Sequence, residues 1–243
     1  MNKIDYNDRS KWEEFVSEDT NFIKSIIPAL HAQCVLDVPC GNGRSLDVIQ
    51  PLCERVIFGD INPLMVEEVH KKIQKRGYEN CEVIVIDLCD LSNIKIYQER
   101  NLLLIMQQSI QLLNRDQIQM FFENIKRSAI KNFVIDIYDF ESKASDVPQY
   151  LRQPTVFCDE FGTRWNRKSE IIKTSPKAVI LNHHYSSIYG KKEASITLQN
   201  YTRSEFMHLC KINGFRLVKL YSRYDLTYFD ADGRSIFLIE NCI

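Results

Sequence analysis

Residues 35–43, Val-Leu-Asp-Val-Pro-Cys-Gly-Asn-Gly, decide how the rest of this chain is read. They have the pattern of a buried strand that breaks into a glycine turn and then opens a helix. Backbone amides at such a turn face a ligand, and Gly41 and Gly43 remove the Cβ atoms that would hold it off. Seventeen residues after Gly43, a second apolar strand, Arg55 to Gly59, ends in Asp60. An acid at that point can accept hydrogen bonds from both hydroxyls of a ribose. Strand, glycine turn, helix, strand and acid together open a Rossmann-like nucleotide site.

The ligand is narrowed by what surrounds the turn. A dinucleotide fingerprint needs a small residue three positions after the second glycine, to let helix and strand pack around a pyrophosphate. Here Gly43 is followed by Arg44, Ser45 and Leu46. Asp37, two residues before Pro39, places a carboxylate beside the turn. A carboxylate repels a pyrophosphate and suits a ligand bearing an ammonium or a sulfonium.

Residues 36–44 closely resemble the first motif, D-x-G-C-G-x-G, of class I S-adenosylmethionine-dependent methyltransferases of the type acting on small molecules. Pro39 stands where the family has its first glycine. It fixes φ and removes a backbone donor, so any ligand contact through that amide is lost. The resemblance continues in order along residues 33–139. Asp60-Ile61-Asn62-Pro63-Leu64-Met65 is similar to the segment after the second strand, which implies Asp60 on the ribose with Ile61 and Met65 beside the adenine. Val83 to Leu88 resembles the third strand, which implies Asp87 and Leu88 facing the adenine. Asn101 to Gln107 resembles the fourth strand, where methyl donor and acceptor meet. The cofactor set implied by the resemblance is Tyr6, Asp37, Pro39, Cys40, Gly41, Asn42, Gly43, Asp60, Ile61, Met65, Asp87, Leu88 and Gln107, with Tyr6 folding over from the N-terminal segment.

Composition limits the alternatives. The 243 residues carry 31 Lys and Arg against 32 Asp and Glu, a formal net charge of −1. Nucleic-acid binders more often show a basic excess or stripe, and the local run Lys71, Lys72, Lys75 and Arg76 reads as the solvated end of a helix. Eight cysteines show no C-x-x-C pair and no metal spacing with histidine, so no metal site is expected. No signal peptide or membrane-length apolar run is visible. The expectation is a cytoplasmic enzyme, monomeric or homodimeric, with a small-molecule acceptor and neither nucleic acid nor membrane as partner.

Along the chain, helical spacing over residues 10–30 and 115–130, and the start Asn62-Pro63 ending at Gly77, alternate with the strands named above and with Phe133–Tyr138. This rhythm predicts an α/β fold with a doubly wound, mostly parallel sheet of seven strands. It changes after residue 140. Segments 154–161, 163–174, 177–189 and 194–201, divided by Gly162, Ser175-Pro176 and Gly190-Lys191, carry the signals of an antiparallel meander. A capping box, Thr202-Arg-Ser-Glu205, then restarts a helix, and strands 215–224 and 233–241 form a terminal antiparallel hairpin. Residues 1–140 with 202–243 are therefore expected to form the Rossmann-like domain, and 141–201 a small β insertion capping the active site.

Methyl transfer from a sulfonium needs no protonation of the leaving group, so positioning supplies much of the rate. A general base helps where the acceptor is protonated. Candidates are Tyr138 at the end of the fifth strand and His183 and His184 on the insertion. Successive strand residues point to opposite faces, so only one of the two histidines can face the site. The expected reaction is methyl transfer to a nitrogen or oxygen of a small molecule; a protein or tRNA methyltransferase is the alternative.

Overall fold

All four residues of Cys34–Asp37 (β1) are buried. Such a strand needs a layer on each face, and the sheet around it has both. The computed structural model describes residues 13–91, 94–140, 155–158, 164–175, 177–222, 224 and 234–242. After helix α1 (Glu13–Ala29) and β1 come α2 (Leu46–Ile49), β2 (Arg55–Asp60), α3 (Pro63–Arg76), β3 (Cys81–Val85) and β4 (Asn101–Ile105). Then follow α4 (Arg115–Arg127), β5 (Asn132–Tyr138), α5 (Arg203–Ile212), β10 (Arg216–Tyr221) and β11 (Arg234–Glu240). The strand order is β3-β2-β1-β4-β5-β11-β10, parallel except that β11 runs antiparallel to β5 and to β10. The chain goes outward from β1 to β2 and β3, then returns to β4 on the other side. The crevice beyond the carboxyl ends of β1 and β4 is thus the switch point, where open α/β sheets bind ligands.

Alternate residues of the central strands divide between two cores. Leu36, Leu103 and Ile105 pack with Phe121, Phe122, Phe133 and Phe206 on the α4–α5 side. Val35, Leu102 and Leu104 pack with Phe22, Phe58 and Val69 on the α1–α3 side. At roughly 1.5–3 kcal/mol per large buried apolar side chain, these two layers outweigh any single surface contact. Local signals fix the ends. Asn62 accepts the Leu64 amide at 3.1 Å and Gly77 closes α3 with φ of 66°. Capping boxes start α4 at Asn114 and α5 at Thr202. Helix α2 is a single turn, continued by a 3-10 turn over Gln50–Leu52. Among the described residues, no helix is long and apolar enough to cross a membrane.

The insertion holds a separate antiparallel sheet in the order β6-β7-β8-β9, from β6 (Thr155–Cys158), β7 (Arg164–Ser175), β8 (Ala178–Ser187) and β9 (Gly190–Gln199). The expected break at Gly190-Lys191 is instead the beginning of β9. Ser187 pairs with Gly190, so Ile188 and Tyr189 form a two-residue turn. Gly190 has φ of 136°, outside the range of most side chains, which lets the strand start directly after the turn.

Gln111 fixes this sheet to the parallel one. Its side chain accepts from the Tyr138 amide at 2.7 Å and donates to the Tyr138 carbonyl at 2.9 Å and the Gln199 carbonyl at 2.8 Å. Asn200 accepts the Phe140 amide at 3.0 Å. Tyr138 and Phe140 pack with Val179, Leu181 and Leu198 in a third core. The insertion is therefore seated at the carboxyl end of β5.

Candidate functional site

A cavity of about 220 Å³ opens at the carboxyl ends of β1, β2 and β3. Val38, Pro39 and Gly41 come from the turn after β1, Asp60, Ile61 and Met65 from the end of β2 and the start of α3, and Ile86, Asp87 and Leu88 from beyond β3. Ser109, Leu112 and Leu113, around the 3-10 turn after β4, and Gln117 on α4 form the remaining wall.

The two glycines of the turn differ in their surroundings. Gly41 has φ of +54°, and a Cβ there would meet nothing within 4 Å. The space it leaves belongs to the cavity. Gly43 has φ of +71°, and a Cβ there would lie 2.7 Å from Val69 Cγ2. Its missing side chain lets the turn lie against α3. The sequence reading assigned both glycines to ligand approach, whereas only the Gly41 position opens on the cavity.

Asp60 is 7% exposed, and its carboxylate ties the turn after β1 to the segment that starts α3. The Gly41 amide donates to Oδ2 and the Asn62 amide to Oδ1, each at 2.9 Å. Each carboxylate oxygen has more than one lone pair, so both keep capacity for a further donor. Asp87 is anchored alike, accepting the Cys89 amide on Oδ1 at 2.8 Å. On the strand side of the turn, burial lifts the Asp37 carboxyl to about 6, against the opposing effect of the Ser45 hydroxyl, which donates to it. A cationic ligand group next to Asp37 favours the ionised form. Lys72 of α3 donates to the Asn42 carbonyl at 2.6 Å, tying the turn to that helix.

A second polar assembly lies at the end of β4. Gln107 and Gln108 both have φ of 58°, an uncommon conformation for residues other than glycine. The Asp136 carboxylate, fully buried within β5, accepts the Gln108 amide on Oδ1 at 2.7 Å and the Tyr224 hydroxyl on Oδ2 at 2.7 Å. Arg234 lies 3.9 Å from the same Oδ2. Burial raises the Tyr224 hydroxyl well above its ordinary range, with Asp136 adding to the effect, so the phenol is a neutral donor. Asp19 of α1 accepts from Gln107 Nε2 at 2.9 Å and from the Arg44 guanidinium. Backbone strain of this kind concentrates at functional sites and persists where the surroundings hold it.

The structure brings Pro39, Gly41, Asp60, Ile61, Met65, Asp87 and Leu88 to one cavity. Asp37, Cys40, Asn42, Gly43 and Gln107 surround the turn and the end of β4 without being among its lining residues. Burial holds the Cys40 thiol protonated. Tyr6 lies outside the described residues. Tyr138 packs in the core shared with the insertion, its ring 4.9 Å from Phe140. On β8, His183 shares a face with the buried Val179 and Leu181, and Ser169 lies 2.8 Å from its Nδ1. His184 points the other way, between Glu193 at 3.1 Å and Glu170 at 3.7 Å. Among the described residues, no group of three or more His, Cys, Asp or Glu could hold a metal ion. Sequence reading missed the Ser109–Leu113 wall, Gln117, Lys72 and Asp19. The capping box Asn114–Gln117 was the one local signal available, and it marks a helix start without indicating a cavity.

The family model of a methyltransferase domain matches residues 35–131, from β1 to the residue before β5. That stretch is similar to a methyltransferase domain. Among curated proteins, none matches the chain by sequence. An S-adenosylmethionine-dependent methyltransferase from Clostridium acetobutylicum is similar in structure, with a TM-score of 0.70 at 14% identity over 92% of this chain and 91% of that one. The sugar N-methyltransferase KedS8 of a Streptoalloteichus species has a TM-score of 0.69 at 14% identity, over 92% and 87%. DesVI of Streptomyces venezuelae has a TM-score of 0.68 at 15% identity, over 97% and 98%. At these identities the likeness is one of fold, and it extends over nearly the whole chain.

Proposed function

We propose that this protein transfers a methyl group from S-adenosylmethionine to a nitrogen or oxygen of a small-molecule acceptor. The observation that carries the reading is Asp60, fixed by the Gly41 and Asn62 amides in a cavity that Asp87 also lines. Two anchored carboxylates lining one cavity suit a ribose and a purine amine. Ile61, Met65 and Leu88 offer apolar contact for the purine ring, and Asp37 beside the turn suits a cationic methionine group. S-adenosylmethionine supplies an electrophilic methyl on a sulfonium, whose loss leaves a neutral thioether. The chain's own part is to bind, orient and exclude water, with correct orientation contributing roughly 7–11 kcal/mol.

The acceptor class is drawn from the insertion and from names. The sheet β6–β9 sits at the end of β5, and Gln111, which seats it, belongs to the same 3-10 turn as the cavity residues Ser109 and Leu112. The division into residues 1–140 with 202–243 and an acceptor-binding unit 141–201 is part of this reading. The inner face of that sheet carries His183, making it the better-placed of the two histidines to take a proton. KedS8 is named for a sugar nitrogen, as CalS10 of Micromonospora is named an amino pentose methyltransferase. The near-neutral charge of −1 suits such an acceptor better than a nucleic acid. Seven described cysteines, all free, fit a reducing cytoplasm.

Incubation with methyl-labelled S-adenosylmethionine and an extract separated by size tests this. Label is expected in the low-molecular-weight fraction. Label confined to protein or RNA would overturn the small-molecule assignment, and His183→Ala is expected to slow transfer more than His184→Ala.

A further inference from the structure

Strand β5 pairs with β4 as far as Ile135, opposite Ile105, and then runs on alone to Tyr138 on that edge. There a side chain takes the place of the missing strand. Gln111, fully buried, accepts the Tyr138 amide on Oε1 at 2.7 Å and donates from Nε2 to the Tyr138 carbonyl at 2.9 Å. These are the two bonds a neighbouring strand residue would make. The other Nε2 hydrogen goes to the Gln199 carbonyl at the end of β9, at 2.8 Å. One N–H and two carbonyls allow only this orientation of the amide. A single side chain thus splices the ladder of the parallel sheet to the inserted one. The turn that carries Gln111 is itself pinned. Asp136 accepts the Gln108 amide at 2.7 Å, and the Gln108 carbonyl accepts the Gln111 amide at 2.9 Å. The Ser109 hydroxyl closes onto the Met106 carbonyl at 2.7 Å. Ser109 and Leu112 of this turn, and Leu113 after it, line the cavity. The cavity therefore lies against one part of the turn and the insertion against another.

We propose that Gln111 is a positioning residue for methyl transfer: through it, the turn that walls the donor cavity fixes where the acceptor-binding sheet stands. This rests on the reading of the cavity as the donor site and of the insertion as the acceptor-binding unit. Gln111 is not among the residues that line the cavity and acts through the backbone it holds. Placing two reactants at a fixed separation supplies rate without adding a contact to either. Turnover and donor affinity therefore respond differently to its loss. A donor that orders the turn also slows local opening of the strands spliced to it. Asn200, which accepts the Phe140 amide at 3.0 Å, is a second tie, so loss of Gln111 loosens the insertion without detaching it.

Two variants and the wild type test this. Gln111→Glu keeps the shape and an acceptor for the Tyr138 amide but, when ionised, has no hydrogen for either carbonyl. Gln111→Met keeps the bulk and loses all three bonds. In both, S-adenosylhomocysteine affinity by calorimetry should stay near that of the wild type. Entry of label from S-adenosylmethionine into the low-molecular-weight fraction of an extract should slow by about tenfold or more, the scale of one buried hydrogen bond left unmade, with little change in the KM for the donor. Amide exchange in β8 and β9 should quicken by a similar factor. In the wild type, S-adenosylhomocysteine should slow exchange in those strands as well as around Ser109. Wild-type turnover and exchange in either variant, or donor affinity lost in step with turnover, would overturn the proposal. So would wild-type protein whose β8 and β9 exchange alike with and without S-adenosylhomocysteine bound, a result that needs neither variant to fold. Wild-type protein that does not bind S-adenosylhomocysteine would overturn the donor reading instead, with the ligand-free exchange of the variants still deciding whether Gln111 holds the sheet.

Discussion

Gly41→Val is expected to give a folded protein that no longer binds S-adenosylmethionine. The backbone at Gly41 has φ of +54°, and the position of a Cβ has no atom within 4 Å. Nothing in the protein obstructs the new Cβ, and the left-handed backbone costs folding about 1–3 kcal/mol. The branched side chain then projects into the cavity bounded by Pro39 and Asp60. Affinity should fall at least ~100-fold, since steric overlap with a rigid turn leaves the ligand nowhere to shift. The contrast lies at Gly43, where a Cβ presses on Val69 and the effect is on packing against α3. Thermal unfolding and calorimetry on Gly41→Val separate the two costs. A stable variant that binds the donor as tightly as wild type would show that the turn does not border the ligand.

Asp60→Ala should weaken donor binding by about 1.5–3 kcal/mol for the lost hydrogen bonds to a charged acceptor. The structure adds a second contribution. The same carboxylate accepts the Gly41 and Asn62 amides, so its removal also releases the turn and the start of α3. Asp60→Asn keeps one oxygen for one of those amides and should lose less than Asp60→Ala. Calorimetry on both variants checks the order; equal affinity across wild type, Asn and Ala would remove Asp60 from the site.

The fold was legible where local chemistry and periodicity agreed. The glycine turn, the Asn62-Pro63 helix start, the Thr202–Glu205 capping box and the apolar strands each specify a conformation over a few residues. Together they imply the sheet, because alternating strands and helices have few ways to bury two faces. The insertion was legible as strands, but its hairpin was misplaced: Gly190 can end a strand or begin one, and only pairing with Ser187 decides. At the site, residues tied to a motif, such as Asp60 and Asp87, could be named from their place after a strand. Asp19, Asp136 and Tyr224 could not. They stand 88 residues or more from a partner in the same assembly, and nothing local in a helix, a strand or a turn announces such a meeting. Tyr138 was a candidate from its place at the end of the fifth strand; its ring packs with Val179 and Leu181 of β8, a long-range contact of the same kind.

Titration of S-adenosylhomocysteine and, separately, NAD into the wild-type protein by calorimetry tests most directly that the cavity beyond β1 to β3 is a methyl-donor site. The account predicts saturable binding of S-adenosylhomocysteine at one site per chain and no heat with NAD, because Asp37 and Leu46 disfavour a pyrophosphate at the turn. Saturable binding of NAD with none of S-adenosylhomocysteine would contradict it.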